Sequence, residues 1–246
     1  MSAVRPWAQL TREEIGELAP EALTVLPVGS TEQHGLHLAT GTDAALVTAI
    51  AEQAAAAASR PDTILLAPTL AYGASDHHLP FGGTISLRAA TFQHVLGDVL
   101  SSAAQAGCRR LFVLNGHGGN SAACATAVVE ASRQHGLVAA TAMPSDLVDP
   151  KEIEGPVHGH AGSFETSLML ALHPDRVRPD LAKPSPGGAA RTWPRGLVVA
   201  EPGRWQELDG FTDRPDEASR ERGEQALAVC VAAVAAAFEQ LAGTGA

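Results

Sequence analysis

Positive charge is in short supply. Seventeen Lys and Arg against 27 Asp and Glu leave a net charge of −10 over 246 residues, with an isoelectric point near 5.4. That balance excludes a basic surface for nucleic acid or anionic lipid. Cysteine is equally scarce: Cys108, Cys124 and Cys230 are odd in number, far apart and set in apolar surroundings, the pattern of small buried thiols rather than disulfides or metal ligands. Long apolar runs are missing too. Leu111 to Val129 is broken by Asn-Gly-His-Gly-Gly-Asn, and Gln225 to Phe238 falls short of the roughly 20 residues a membrane span needs. The opening residues Met1 to Trp7 lack the basic-then-apolar pattern of a signal peptide, so a cytoplasmic location is expected.

What is present is core-forming material. Hydrophobic residues make up 45% and charged residues only 18%, which favours burial over disorder. At roughly 100 to 200 residues per domain, one domain spanning 1–246 is expected. Thr24 to Val28, Thr63 to Ala67, Leu111 to Leu114 and Leu137 to Ala142 read as strands. Asp43 to Ser59, with Thr42 as a candidate N-cap, Thr91 to Ala106, Asn120 to Gln134, Ser163 to Leu172 and Ala218 to Leu241 read as helices. This alternation is the βαβα rhythm of an α/β protein with a mostly parallel sheet covered on both faces. Pro68 to Thr84 is a long loop rich in Gly, Pro and His, the kind of loop that carries function. Pro144 to His160 is loop, Leu181 to Gly196 is irregular, and Leu197 to Ala200 is a candidate edge strand. Residues 181–216 are the best candidate for a flexible or partner-contacting insertion.

Chemistry concentrates where strands end. Glu32 and His34 follow the first strand two residues apart, so an extended backbone points both side chains the same way. Asp43 opens the next helix, where the dipole favours a carboxylate. His117 lies in the glycine-rich turn Asn115 to Asn120 directly after the strand Leu111 to Leu114. Carboxyl ends of parallel strands are where α/β proteins build sites. A second cluster, His158, His160 and Glu165, stands at another helix start. Carboxylates and imidazoles without thiolate suit Zn, Mn or Fe in a hydrolytic site. If Asp43 bridges, Glu32, His34, Asp43, His117 and Glu165 make about six bonds, whereas two ions want roughly eight to ten, leaving positions for water and substrate. Two divalent ions against three carboxylates and one hydroxide sum to about zero charge, which suits an uncharged amide better than a phosphate.

Each group also has a plainer reading. Glu32 and His34 could be an exposed loop pair, Asp43 a helix-start carboxylate, and the His117 turn a phosphate loop, although it lacks the P-loop Lys and departs from GxGxxG. His77 and His78 either line the site or cap loop carbonyls. His94, His135 and His173 read as structural or solvated. A non-catalytic small-ligand-binding α/β protein is one rival; a Rossmann nucleotide-binding domain is another, against which Glu32 would repel phosphate in the first loop.

Taken in order, Gly29-Ser-Thr-Glu32-Gln-His34-Gly with Asp43, His78-Leu-Pro-Phe-Gly-Gly-Thr84-Ile-Ser, Asn115-Gly-His117-Gly-Gly-Asn120 and His160-Ala-Gly-Ser-Phe-Glu165-Thr-Ser resemble the creatininase family of metal-dependent amidohydrolases over roughly residues 24–175. The resemblance implies a three-layer αβα sandwich and a two-metal centre. Glu32, His34, Asp43 and His117 then correspond to metal ligands, with Asp43 bridging, and the assembly to a hexamer built as a trimer of dimers. Creatininase has a glutamate two residues after the turn histidine, where this chain has Gly119; Glu165 is the available substitute. That change, and the absence of the family's tryptophans near residues 145–165, turns the expectation away from creatinine itself. Related members include a formamide deformylase and a peptidase acting on a cofactor-precursor peptide.

The expected reaction is hydrolysis of the C–N bond of a small, possibly cyclic, amide by a metal-activated water. Two divalent ions per subunit, a small-molecule amide as partner, and neither nucleic acid nor membrane are implied. His160, beside Glu165, is the candidate proton donor to the leaving nitrogen, with His158 as the alternative. Trp193 and Trp205 are expected to shape the pocket or a neighbouring subunit's contact with it.

Overall fold

The structure, a computed structural model, describes residues 4–187 and 199–243. Five strands, β1 (Arg5–Pro6), β2 (Leu23–Val28), β3 (Ile64–Leu66), β4 (Arg110–Asn115) and β5 (Val138–Ala142), form one sheet in the order β1-β3-β2-β4-β5, with every pairing parallel. Among the described residues seven α-helices accompany it: α1 (Arg12–Leu18), α2 (Thr42–Ala57), α3 (Ala89–Gln105), α4 (Ser121–His135), α5 (Ser163–Leu172), α6 (Arg204–Glu207) and α7 (Arg220–Ala242). All six residues of β2 are buried, as a central parallel strand requires when helices cover both faces. On one face α2, α5 and α7 pack through Leu46, Val47, Ile50, Leu168, Cys230 and Phe238. On the other, Ile15 of α1, Phe92 and Leu96 of α3 and Cys124 and Val128 of α4 form a second cluster. The three-layer αβα sandwich is thereby built.

The order of the strands positions the site. From β2 the chain moves to β3 on one side, then returns to place β4 on the other, so β2 and β4 are neighbours at the point where the winding reverses. Crevices at such switch points, outside the carboxyl ends of strands, take ligands in open α/β sheets.

Several sequence expectations shift in detail. The first long helix begins at Thr42 with Gly41 at the cap position. Thr42 is therefore not the N-cap; its hydroxyl donates back to the Ala39 carbonyl at 2.7 Å. Three elements escaped notice: the two-residue β1; α1, which is opened by a Thr11–Glu14 capping box; and the short α6 within 181–216. Of the candidate edge strand, Leu197 and Val198 lie outside the described residues, and Val199 and Ala200 are exposed with no strand pairing. All three cysteines are buried and free. At 23 residues α7 is, by length and composition alone, apolar enough to cross a membrane, which revises the reading from its uncharged run. Yet Ala226, Cys230, Val234 and Phe238 are buried in the core cluster, the position of a core helix.

Phe238 on α7 is fully buried and meets Phe112 of β4 edge-on, ring centroids 5.7 Å apart. Phe238→Ala is expected to lower unfolding free energy by about 3–5 kcal/mol, measured by urea denaturation. A loss below about 1 kcal/mol, the level of a tolerated core swap, would contradict this packing.

Candidate metal centre

The loop after β2 is pinned from several sides. Gly29 lies so close to α2 that a Cβ there would stand 2.7 Å from the backbone of Ala44, a distance only glycine permits. Thr31 bridges to Ile85, and the Glu32 amide donates to the Thr40 carbonyl at 2.9 Å. Glu32 and His34 are both wholly buried, and Asp43, on the first turn of α2, is 2% exposed. After β4, Asn115 clamps the glycine-rich turn: its side-chain oxygen accepts from the His117 amide at 3.1 Å, and its amide donates to the His117 carbonyl at 2.9 Å. Asn120 ties this turn to the loops after β2 and β3, accepting from the Ala74 amide and donating to the Gly29 carbonyl.

These supports bring the candidate residues together. Asp43 faces two ways: Oδ1 stands 3.0 Å from His34 Nε2 and Oδ2 stands 3.3 Å from His117 Nδ1. Glu32 Oε1 is 3.2 Å from His117 Nδ1 and 3.3 Å from His160 Nδ1. Glu165, from the first turn of α5, reaches to 3.8 Å from His34 Nε2. Among the described residues, three groups of donors could each hold a cation: Glu32, His77 and His117; Glu32, His34 and His160; and His34, Asp43 and Glu165. Both Glu32 carboxylate oxygens and Asp43 Oδ2 are buried without a hydrogen-bond partner. Orphaned buried carboxylate oxygens are costly, and this donor set fits divalent cations.

The outer nitrogens carry the same message. His34 Nδ1 donates to the Glu32 carbonyl at 3.1 Å, His117 Nε2 to the Ala74 carbonyl at 3.1 Å, and His160 Nε2 to the Gln33 carbonyl at 2.8 Å. A carbonyl only accepts, so each ring carries its proton outside and, when neutral, turns a lone pair inward. That second-layer bonding orients metal-ligating histidines.

Protonation follows from crowding. Burial pulls the His34 imidazole down, but Asp43, Glu165 and Glu32 outweigh it and push it to about 9. His117 is likewise held well above its ordinary value, against its burial, by Asp43 and Glu32. Asp43, despite burial, sits far below the usual carboxylate range because His34 and His117 flank it. Glu165 is pushed up to about 7 by burial, with Asp43 and Glu32 adding to the rise against His34. Burial and the neighbouring imidazoles hold His160 well below its ordinary value and His78 at about 3. Without a cation, protons on His34 and His117 balance the buried charge.

The remaining predicted residues separate. His160 is buried in the cluster, whereas His158 is exposed and lines the adjoining cavity. His77 stacks on His117 with centroids 5.9 Å apart, and His78 is buried 3.8 Å from Glu32 Oε1, so both line the site. Exposed His94 stands on α3, while His135 and His173 close α4 and α5. Trp193 lies outside the described residues. Trp205 of α6 packs on His77, His78 and His160. Thr212 exchanges backbone and hydroxyl bonds with His160, so this part of 181–216 is docked on the site.

The turn is tightly packed at Gly119. A Cβ there would fall against the Ala74 carbonyl oxygen and His117 Nε2, so position 119 has no room for a carboxylate side chain. Glu165 reaches the cluster from α5, its Oε2 accepting from the Ala161 amide at 2.6 Å. Ala161 adopts a left-handed φ of 50°, which a non-glycine residue holds only under tertiary constraint. One constraint is His37, whose Nε2 donates to the Ala161 carbonyl at 2.9 Å. Sequence reasoning missed His37 and Gln33; their only signal was proximity to His34.

A cavity of about 250 Å³ adjoins the cluster, running from Asp43, His117 and Glu165 between α2 and α5 to Cys230. Leu46, Val47, Ile50, Phe164 and Leu168 form its apolar walls, with Ser145, His158 and Asp213 as polar points.

Comparison with known proteins identifies the family. The family model described as creatininase, creatinine amidohydrolase, matches residues 8–238. Creatinine amidohydrolase of Pseudomonas putida is 33% identical over 244 residues, covering 90% of each chain. The mycofactocin precursor peptide peptidase of Mycolicibacterium smegmatis is 37% identical over 177 residues, 69% of this chain and 65% of that one. A crystal structure of creatininase superposes with TM-score 0.83 at 32% identity, covering 98% of this chain and 99% of the other. Related creatininase structures include a manganese form, TM-score 0.79 at 31% identity over 97% and 99% of the two chains. A variant of zinc–zinc type has TM-score 0.82 at 32% identity, over 98% and 99%. The strand-end loops, the buried carboxylate and imidazole cluster and the match along nearly the whole chain lead to one assignment: this protein is a hydrolase of the creatininase family.

Proposed function

We propose that the chain is a binuclear metal-dependent amidohydrolase cleaving the C–N bond of a small uncharged amide. The observation that carries this reading is Asp43, buried between two donor groups with one carboxylate oxygen toward each. Glu32 and His117 with Asp43 would hold one divalent ion, and His34 and Glu165 with Asp43 the other. When bound, such ions supply Lewis acidity toward a carbonyl oxygen and toward water. Zinc or manganese is the expected occupant, since related creatininases are known in both forms.

The chain's own groups do the rest. His160 keeps its Nε2 proton on the Gln33 carbonyl and leaves Nδ1 beside Glu32. From there it takes a proton from the attacking water and returns it to the departing nitrogen, a role expected to contribute about 10²- to 10⁴-fold. His158, on the cavity wall, is the alternative donor. Among the described residues, the cavity lining includes no Lys or Arg, which favours an uncharged amide over a phosphate. Its apolar walls hold the substrate's carbon frame and exclude water.

As an assembly we propose a homohexamer. Leu36, Tyr72, Leu79 and Ile85 are exposed large apolar side chains, and such residues suit burial between subunits. Unpaired Cys108, Cys124 and Cys230 suit the reducing cytoplasm.

Metal analysis of the purified protein is expected to give close to two divalent ions per chain. Asp43→Asn should lose both, with activity, while far-UV circular dichroism stays native; an active protein after exhaustive chelation would sink the reading. Glu165→Gln should lower metal content to about one ion per chain, and unchanged content would remove Glu165 from the ligand set. A screen of lactams, creatinine, formamides and short peptides against zinc- and manganese-loaded protein is expected to find turnover among the small amides. Turnover confined to peptides would make the chain a peptidase, like its mycofactocin relatives.

A further inference from the structure

When neutral, His34, His117 and His160 turn lone pairs toward the cluster, but His78 does not. Its orientation is fixed by Gln33, the residue between Glu32 and His34. The Gln33 side-chain oxygen accepts from the Gly35 amide at 2.9 Å, and its nitrogen donates to the Gly210 carbonyl at 2.6 Å. Each of these backbone partners has only one possible role, so the amide cannot be flipped. One N–H of Gln33 remains, with His78 Nδ1 at 2.8 Å and His160 Nε2 at 3.2 Å in reach. His160 Nε2 spends its own proton on the Gln33 carbonyl and has no lone pair to offer. The remaining hydrogen therefore goes to His78 Nδ1, which carries none, and the ring's proton resides on Nε2.

That Nε2 is buried without a partner, 3.8 Å from Glu32 Oε1, too far for a hydrogen bond. Trp205 and His77 pack on the ring at 4.6 and 4.2 Å between centroids and restrict its rotation. An N–H on the side facing Glu32 is thus left without an acceptor, and an oxygen that accepts would satisfy it. We propose that His78 is a fixed hydrogen-bond donor to the carbonyl oxygen of the bound amide. In this proposal Gln33 is the positioning residue that sets its tautomer and bars it from metal ligation. As water adds and the carbonyl oxygen gains charge, the His78 hydrogen bond strengthens. When the C–N bond breaks, the charge returns to the new carboxyl group and His78 keeps its proton throughout. Such a donor acts in the transition state more than in the ground state.

The proposal rests on the amidohydrolase reading, and the test separates the two. Ring-¹⁵N histidine spectra of the full-length, zinc-loaded protein are expected to show His78, identified by its loss in His78→Leu, protonated on Nε2 and free of zinc. Gln33→Glu, whose carboxylate accepts instead of donating, should move the proton to Nδ1. With the amide turned over fastest in the screen above, His78→Leu should lower kcat about 10²- to 10³-fold, leave KM little changed and keep both zinc ions. His78→Gln, which retains a donor, should recover much of the rate. A native His78 protonated on Nδ1 or bound to zinc, a His78→Leu protein that loses zinc, or native kcat in that variant would each overturn the proposal while two zinc ions per native chain leave the amidohydrolase standing. A native chain that takes up no zinc would overturn both.

Discussion

Three carboxylates gathered among imidazoles inside a protein set the terms for everything around them. Asp43 and Glu32 are all but inaccessible, three of their oxygens have no hydrogen-bond partner, and Glu165 stands close by. Burying a charge is tolerated only when it is paired or coordinates a metal. In this cluster the available hydrogens are largely spent outward, on the carbonyls of Glu32, Gln33 and Ala74. The interior is left rich in lone pairs, an arrangement that suits cations and little else.

The fold exists to bring those groups to one point. Adjacent carboxyl ends of β2 and β4 deliver Glu32, His34 and His117; the start of α2, pressed close through Gly29, adds Asp43. The third contribution, from α5, depends on longer reach. Ala161 is held in a left-handed conformation by Glu165 on its amide and His37 on its carbonyl, so the loop that supplies His160 and the helix that supplies Glu165 are fixed together. Gly119 itself leaves no room for a side chain against the Ala74 carbonyl and His117, and Glu165 enters the cluster from a different element.

Much of this was legible before any coordinates. The spacing of Glu32 and His34, a carboxylate at a helix start and a histidine in a glycine turn all lie within short stretches whose geometry local rules fix. Strand and helix positions followed from apolar periodicity, and their limits moved by a residue or two because caps decide them: Gly41 in place of Thr42, Ser219 ahead of α7. The two-residue β1 is too short to show a period, and α1 buries only Ile15. What could not be read was anything requiring distant segments to meet. Gln33 touches Gly210 across 177 positions of sequence, Trp205 closes over histidines from two other loops, and the side His78 presents to the cluster depends on that chain of contacts.

Anomalous diffraction from crystals of the metal-loaded protein tests the centre most directly. The account predicts two peaks in each subunit, on either side of Asp43, one against Glu32 and His117 and the other against His34 and Glu165. A single peak, or density at neither position with the protein well ordered, would contradict it.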